Sequence, residues 1–318
     1  MRMITRNWRV VLACMFCLVF ACMCSSEKQA EETSSKQQNA LRSLLPEMSF
    51  KGKIIFQSDF DGDNDIYAIS MKGIKRLTNN SIQDEYPVFS PDGKKIAFSS
   101  NLKGQYDIYV MDEDGTDVQR VTSSSHKEET PAWFPDNKSI AYTKNLGGTF
   151  RSKDFLFMTH LDSQRTKKII TDFQKTHIIP WISPDGSMLT FTAKRTLGWD
   201  VALYDFEQEQ FRFLEKGGKS CRGRFSPKGN KIAYVSSKAD GKGDIWLMNP
   251  DGSQKKRLTQ RDDTYDYFPS WSPDGKFIVF NSSLKHDHIG KLCIVKVKTG
   301  EVFFLFDSPG NDVYPDWK

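Results

Sequence analysis

The stretch "DEYPVFSPDGKKIAFSS", residues 84–100, contains a short strand, a tight turn and a second strand. In "SPDG", residues 90–93, the proline presets φ at the first corner of the turn and the aspartate suits the second corner. Gly93 can adopt the left-handed conformation that leads back into an antiparallel strand. The stretch therefore predicts a β-hairpin.

The same pattern returns along the chain at a nearly constant spacing. When its copies are aligned on the proline of "YP", successive positions differ by 44, 49, 43, 46 and 46 residues. Such a period is too long for leucine-rich or ankyrin repeats and matches a four-stranded propeller blade. The aligned positions are Pro87, Pro131, Pro180, Gly223, Pro269 and Pro315.

Each unit contains four strand-like pieces. In the second unit they are "YPVFS" (86–90), "KKIAFSS" (94–100), "YDIYVMD" (106–112) and "VQRVT" (118–122). The third piece is apolar on both faces, which is typical of a strand in a sheet that lies between two other sheets. Blades of a propeller are stacked in this way, so we predict an all-β fold in which each unit is one blade.

The two ends of the repeat region complement each other. The first unit starts at Lys53 with "KIIFQSDF" and lacks its leading strand, whereas "VYPDW" (313–317) is a leading strand without a unit behind it. Pairing the C-terminal strand with three N-terminal strands would close a ring and remove the free sheet edges. We therefore predict a six-bladed β-propeller over residues 53–318. A solenoid is the alternative, but it would need capping units at both ends.

The residues that precede the repeat region differ from it in composition. Three arginines precede an uncharged apolar run, Val10–Ala21, which is typical of a secretory signal and short for a membrane span. Val19–Cys22, "VFAC", resembles the lipobox of bacterial lipoproteins, and the resemblance implies lipidation of Cys22. We predict a lipoprotein signal peptide over residues 1–21 and a lipidated N-terminus with a flexible tether over residues 22–52. An ordinary cleaved signal and an uncleaved anchor are the alternatives.

Composition narrows the class of partner. Hydrophobic residues at 38% and charged residues at 27% are ordinary for a soluble globular protein. The net charge is +5 and no long Lys/Arg run is present, so we expect no nucleic-acid partner. Four of the six cysteines lie in or beside the signal, and only Cys221 and Cys293 lie further along. We interpret these two as small hydrophobic residues in a monomeric protein without a disulfide framework.

The repeat resembles the propeller of the TolB family. The residues that carry the resemblance are "PVFSPDGKKIAFSSNLKGQYDIYVMDEDG" (87–115) and "FPSWSPDGKFIVF" (268–280). It covers residues 53–318 and implies a scaffold that holds a partner, as TolB holds the Pal lipoprotein. TolB itself has an α/β domain ahead of its propeller, and residues 22–52 are too few for one. Similar repeats also form the propellers of dipeptidyl-peptidase-type hydrolases and oligogalacturonate lyases.

Six residues stand three positions before the aligned positions and would lie on one face of the ring. An aspartate before a strand often caps a turn or accepts hydrogen bonds from backbone amides, which is the structural interpretation. The functional interpretation is an acidic channel mouth that binds a partner or a cation, with all of the six except the serine as binding residues. They are Asp84, Glu128, His177, Ser220, Asp266 and Asp312.

A second set of carboxylates follows the first predicted strand. Asp59, Asp61 and Asp63 alternate as early calcium ligands do in an EF-hand loop. That loop also needs Gly at its sixth position and Glu at its twelfth, where this chain has Asn64 and Ser70. The stretch is therefore either a weak site for Ca²⁺ or another divalent cation, or a solvated turn. We expect no other cofactor.

Motifs of known catalytic chemistry are missing from the sequence. It has no HExxH, no GxSxG and, outside the signal, no CxxC. His286–His288 could bind a metal, with a plain surface loop as the alternative. His177 is the one histidine at a mouth position, with His126 two residues from another, so the histidine cluster of the lyases is not reproduced.

We therefore predict a non-catalytic binding scaffold of the cell envelope. The resemblance implies that its channel face holds a protein or peptide, such as a peptidoglycan-associated lipoprotein, while the N-terminal lipid attaches it to a membrane. Met23 follows the lipidated cysteine where an inner-membrane lipoprotein often has aspartate, which favours the periplasmic side of the outer membrane. The alternative function is a metal-dependent polysaccharide lyase of the oligogalacturonate-lyase type.

Overall fold

A computed structural model describes residues 52–147, 153–170, 175–287, 289–305 and 308–318. This part of the chain forms 24 strands in six antiparallel sheets of four strands each. The prediction of an all-β, six-bladed propeller is confirmed. The predicted signal peptide, nearly all of the tether, Cys22 and His288 lie outside the described residues and stay predictions.

The four strands of each blade are ordered from the channel outwards, and strands of the same rank occupy equivalent positions in the six blades. The innermost strands are β4 (Asp84–Phe89), β8 (Glu128–Trp133), β12 (His177–Ile182), β16 (Ser220–Phe225), β20 (Thr264–Trp271) and β24 (Val313–Trp317). The second strands are β1 (Ile54–Ser58), β5 (Lys95–Ser100), β9 (Ser139–Asn145), β13 (Met188–Arg195), β17 (Ile232–Ser236) and β21 (Phe277–Leu284).

The outer half of each blade completes the sheet. The third strands are β2 (Asp65–Ser70), β6 (Asp107–Asp112), β10 (Asp154–His160), β14 (Gly198–Asp205), β18 (Asp244–Met248) and β22 (Lys291–Lys296). The outermost strands are β3 (Gly73–Arg76), β7 (Gln119–Arg120), β11 (Thr166–Lys168), β15 (Gln210–Phe213), β19 (Lys256–Arg257) and β23 (Val302–Phe304).

Antiparallel order places the loops on two opposite faces. Loops that precede an innermost strand or join a second strand to a third lie on one face, which we call the channel face. Turns that follow an innermost or a third strand lie on the other, which we call the hairpin face. We number the blades from the one that contains β1, so that the second blade begins at β4 and the sixth at β20.

The predicted turn after the innermost strand is held by its own side chains. Ser90 Oγ donates to Asp92 Oδ1 at 2.7 Å and accepts from the backbone N of Lys95 at 3.0 Å. Burial alone would raise the pKa of Asp92, but the hydrogen bonds from Ser90 and Lys94 hold it below its ordinary value. Gly93 has a φ of 74°, as the turn requires.

The hydrophobic core lies between neighbouring blades. Between the first and second blades, Ile55 and Ile66 pack in one cluster with Ile96, Phe98 and Met111, and each of these is at most 1% exposed. Every sheet is covered on both sides by another sheet, which is why third strands are apolar on both faces. The edge of each blade that lies on the outside of the ring is its outermost strand, and these strands are short.

Ring closure occurs where the sequence predicts it. β24 pairs with β1, so that Ile54 lies opposite Trp317 and Ile55 opposite Asp316. The backbone N of Lys53 donates to Lys318 O at 2.6 Å, and the backbone N of Lys318 donates to Lys53 O at 2.9 Å. The first blade is therefore completed by residues from both ends of the described chain.

Trp317→Ala should destabilise the whole ring. Trp317 is 6% exposed in the closing strand, and removing a buried tryptophan side chain costs about 3–5 kcal/mol. Urea unfolding followed by circular dichroism would measure the loss. Phe304→Ala is the matched control, because this aromatic side chain in β23 is 51% exposed and should change stability by less than about 0.5 kcal/mol. Equal losses in the two variants would contradict a ring held closed by β24.

Candidate functional site

The wall of the central channel is made by a bulge that recurs in all six innermost strands. Each strand shifts register at the aligned position, so that two of its residues stand opposite one residue of the neighbouring strand. The residue before the aligned position has a φ between 53° and 57°, a region that residues other than glycine rarely adopt. These six bulge residues are Tyr86, Thr130, Ile179, Arg222, Phe268 and Tyr314.

Neighbouring blades help to hold the bulges in place. In four of them the bulge residue donates its backbone N–H to a polar side chain on the second strand of the preceding blade. This interaction explains why strands such as "KIIFQS" contain a buried polar residue, since the acceptor satisfies an N–H that the bulge removes from the ladder. The pairs are Tyr86 with Gln57 at 2.8 Å, Thr130 with Ser99 at 3.2 Å, Ile179 with Thr143 at 3.2 Å and Arg222 with Thr192 at 2.8 Å.

The six bulge residues line a small cavity of about 80 Å³, which we call the upper chamber. The guanidinium of Arg222 lies 4.1 Å from the ring centroid of Phe268, and its Nη1 donates to Cys221 Sγ at 2.7 Å. Its Nε is buried and has no hydrogen-bond partner among the described residues. The chamber thus combines an aromatic wall with one cation whose hydrogen-bonding capacity is not fully used.

An ion pair forms the floor of the upper chamber. Arg224 pairs with Asp316 of the closing strand, and its guanidinium stacks 3.5 Å from the ring centroid of Trp181. Arg224 and Trp181 also line a second cavity of about 350 Å³, which contains Asp316 and opens among the turns of the hairpin face. The channel is therefore divided into two chambers, of which only the upper one faces the loops of the channel face.

Two glutamates give the mouth of the upper chamber its charge. Glu85 and Glu129 each precede a bulge residue and are half-buried. Burial raises the pKa of Glu129, Lys127 opposes that rise through an ion pair of 2.8 Å, and the charge of Glu85 adds to it. In a ring of six, the second and fifth blades face each other. The mouth is thus acidic on the side of these glutamates and basic on the side of Arg222.

The structure buries the six residues that the alignment singled out. Asp84 accepts from Asn80 Nδ2 at 2.9 Å, and Glu128 pairs with Lys144 at 3.0 Å. Their positions at or beside the start of the innermost strands agree with the alignment, and these two contacts are with side chains. Their role in binding a partner stays a prediction. All six, Asp84, Glu128, His177, Ser220, Asp266 and Asp312, are less than 5% exposed.

The other members of this set are held in the same way. Asp266 accepts from Arg261 Nη2 at 2.7 Å and from Ser282 Oγ at 2.7 Å. His177 Nδ1 lies 2.8 Å from the carbonyl oxygen of Lys175, to which it donates. Burial of the ring lowers the pKa of His177 to about 4, so this histidine is neutral in its native environment at neutral pH.

Two of the three alternating aspartates, Asp59 and Asp61, bind different partners in the structure. Asp61 Oδ2 accepts from Arg76 Nη1 at 2.7 Å and from Tyr67 Oη at 2.8 Å, whereas Asp59 Oδ1 accepts from the backbone N of Asn311 at 2.7 Å. Over the described ranges, no group of three or more His, Cys, Asp or Glu side chains could hold a metal ion. A cation site that includes Asp63 stays a prediction.

The cysteines and the other histidines that the sequence analysis singled out lie in different parts of the fold. Both Cys221, which is half-buried, and Cys293, which is buried, are free thiols. His286 and Asp287 are exposed in the loop between β21 and β22, and His126 lies in the loop before β8. No helix that could cross a bilayer occurs in the part of the chain that the structure describes.

Sequence comparison matches the repeat region to one family. The model of the TolB beta propeller domain matches residues 29–195 and 150–317. A Tol-Pal system protein TolB of Francisella tularensis subsp. mediasiatica is 28% identical over 239 residues, which are 72% of this chain and 54% of that protein. The chain thus spans about half the length of that relative.

Solved structures agree on the fold. TolB from Acinetobacter baumannii is similar over 84% of this chain and 67% of that chain, with a TM-score of 0.71 and 22% identity. An oligogalacturonate lyase in complex with manganese is similar over 80% of this chain and 73% of that chain, with a TM-score of 0.58 and 16% identity. At these identities the likeness concerns the architecture alone.

Asp312→Asn should change how stability depends on pH. Burial raises the pKa of Asp312 to about 6, above the value of about 3.9 expected in the unfolded chain. The folded state therefore holds this proton more tightly, and its contribution to stability is complete below pH 4 and lost as pH rises through 6. From pH 4 to pH 7 the parent should lose on the order of 2–3 kcal/mol relative to the variant.

Urea unfolding of both proteins at pH 4, 5, 6 and 7 would measure this difference. Asp262→Asn, which removes an exposed carboxylate, is the control for a general effect of lost charge. A difference between Asp312→Asn and the parent that stays constant over this range would contradict a raised pKa at Asp312.

Proposed function

The chain belongs to the TolB β-propeller domain family, and we propose from that premise that it is a non-catalytic binding scaffold of the bacterial cell envelope. Its channel face would hold a protein or peptide partner. The upper chamber is the observation that carries the proposal, because a concave, mostly apolar site with a few convergent polar groups is the usual form of a binding pocket.

The wall of the chamber suits a rigid anchor. The ring centroids of Phe268 and Tyr314 lie 3.7 Å apart, and those of Tyr86 and Tyr314 lie 4.3 Å apart. Packed aromatic side chains lose little conformational freedom on binding, which favours them at the centre of interfaces. A volume of about 80 Å³ would accept one side chain or one chain end of a partner.

The floor and the charges of the chamber would orient that partner. With the Arg224–Asp316 pair at the floor of the chamber, a segment of the partner would enter and leave by the channel face. Glu85 and Glu129 would attract a basic group, and Arg222 would attract a carboxylate on the opposite side. A partner that presents both charges would bind in one orientation only.

The place where the chain enters the propeller suits an N-terminal anchor. Gly52 and Lys53 lie beside Lys318 on the hairpin face. A lipid on Cys22 would attach the protein through the predicted flexible tether, which does not fix the face that the propeller turns towards the membrane. We propose a monomer on the periplasmic side of the outer membrane, with a peptidoglycan-associated lipoprotein or a similar envelope protein as partner, as the Tol-Pal name of the relatives suggests. This function needs no metal or cofactor.

The lyase alternative lacks a comparable observation in its favour. It would require a divalent metal that histidines hold in the channel. His177 is buried between the rings of Phe155 and Phe191, with centroid distances of 5.1 and 5.9 Å, and does not line the upper chamber.

Glu85→Gln with Glu129→Gln should weaken capture of the partner. Removing charge at the mouth should lower affinity about tenfold at low salt, because each close charge pair across an interface contributes on the order of 1 kcal/mol or more. A pull-down from envelope extract, followed by titration with the captured protein at two salt concentrations, would measure this loss.

The matched control is Asp114→Asn with Asp251→Asn. It removes two carboxylates from exposed turns of the hairpin face. We expect this variant to keep its partner. If it loses the partner while the glutamate variant keeps it, the binding site lies on the other face of the ring.

Cys22→Ser tests the anchor separately. The substitution removes the only predicted site of lipid attachment, so we expect loss of fatty-acid labelling and release from washed membranes. The readout is metabolic labelling together with fractionation after a carbonate wash. A variant that remains in the membrane pellet would instead indicate an uncleaved N-terminal anchor.

A further inference from the structure

The hairpin between β13 and β14 holds an apolar side chain far out in solvent. Leu197 is 82% exposed, whereas the next most exposed large apolar residue of the described chain, Leu284, is 53% exposed. The strands pair up to Arg195 opposite Gly198, so only Thr196 and Leu197 form the turn. Leu197 is therefore the apex of a long hairpin that projects from the channel face of the fourth blade.

The tip of this hairpin is braced against the next loop. The backbone N of Trp199 donates to Gly218 O at 3.2 Å, and Trp199 forms an isolated bridge with Lys219. A Cβ on Gly198 would lie 2.1 Å from Gly218 O, and a Cβ on Gly218 would lie 1.5 Å from Leu197 O. Only glycine fits such backbone contact, so the two loops hold Leu197 outward and keep it from folding back onto the surface.

Exposed lysines surround the tip of the hairpin. Within the described ranges none of them makes an ion pair, and Lys194 Nζ lies 4.8 Å from the ring centroid of Trp199. Asp200 and Glu215, the carboxylates nearest in sequence to the β13–β14 turn and to Lys216, are buried and bonded within the fold, to Ser220 Oγ at 3.1 Å and to Lys238 Nζ at 2.5 Å. The exposed lysines are Lys175, Lys194, Lys216 and Lys219.

We propose that this tip docks the propeller onto the surface of an anionic phospholipid bilayer. Leu197 would insert among the acyl chains, Trp199 would lie at the level of the headgroups, and the lysines would contact anionic lipid. The convex shape of the tip favours a bilayer over a small ligand, which would need a concave site. The docking does not depend on the upper chamber.

The corresponding loop of the first blade offers a comparison with the fourth blade. Phe60, in the corresponding loop of the first blade, is 50% exposed but stands between Asp59 and Asp61. Anionic lipid would repel these carboxylates, so an apolar side chain alone is not sufficient for docking. Phe60 therefore provides a matched control for Leu197.

The test uses hydrogen–deuterium exchange of the full-length chain with vesicles. One set contains phosphatidylcholine alone and the other contains phosphatidylcholine with about one third phosphatidylglycerol. The predicted N-terminal anchor can attach the chain to either set, so the readout is local exchange at the β13–β14 turn and the loop before β16. We expect slower exchange there with anionic vesicles only, and reversal of this effect at high salt.

Variants separate the insertion of the leucine from the attraction of the lysines. Leu197→Ser should abolish the protection, and Lys216→Gln with Lys219→Gln should raise the lipid concentration needed by about 25-fold, since each lysine near an anionic surface contributes about a fivefold change in affinity. Phe60→Ser and the Glu85→Gln, Glu129→Gln variant should leave the protection unchanged, and the latter separates this site from the upper chamber.

Several results would overturn the proposal. One is protection that is equal with both kinds of vesicle, and another is protection that persists in Leu197→Ser. Absence of protection with anionic vesicles, together with slower exchange when a purified envelope protein is added, would assign the tip to a protein interface instead. Melting temperatures equal to that of the parent would confirm that the variants fold.

Discussion

The carboxylate of Asp316 connects the closing strand to three other blades. It accepts from the backbone N of Phe89 in the second blade at 2.7 Å and from Ser270 Oγ in the sixth blade at 3.1 Å, and it pairs with Arg224 of the fifth blade. A buried carboxylate must have such partners, because an isolated one would be strongly destabilising. The ring, the floor of the upper chamber and the position of β24 therefore depend on one another.

The bulges also make neighbouring blades depend on one another around the ring. A left-handed residue before the aligned position is strained by itself, and in four of the six blades a side chain of the preceding blade accepts its N–H. In the fifth blade Val235 occupies the position of the acceptor, and its apolar side chain cannot accept a hydrogen bond from the backbone N–H of Phe268. The channel wall thus belongs to pairs of blades, which is why its geometry needs the closed ring.

Several of the features that could bind a partner lie where the repeat is interrupted. Gly223 replaces the aligned proline, and a Cβ there would lie 2.7 Å from Val201 Cγ1 of the preceding blade. Both arginines of the channel, Arg222 and Arg224, flank this glycine. The exposed Leu197 lies in the neighbouring blade. A perfectly repeated sequence would build a ring with six equal sides, so the direction in which a partner could bind comes from these departures.

The sequence by itself determined the architecture, because turn chemistry, repeat length and complementary ends are all local or countable properties. It could not determine which side chains reach the channel. Asp84 and Glu128 are buried, whereas their neighbours Glu85 and Glu129 are half-buried, and the bulge that follows interrupts the simple alternation of faces along each innermost strand. Arg224 and Asp316 stand 92 residues apart, and only closure of the ring brings these charges together in a largely buried site.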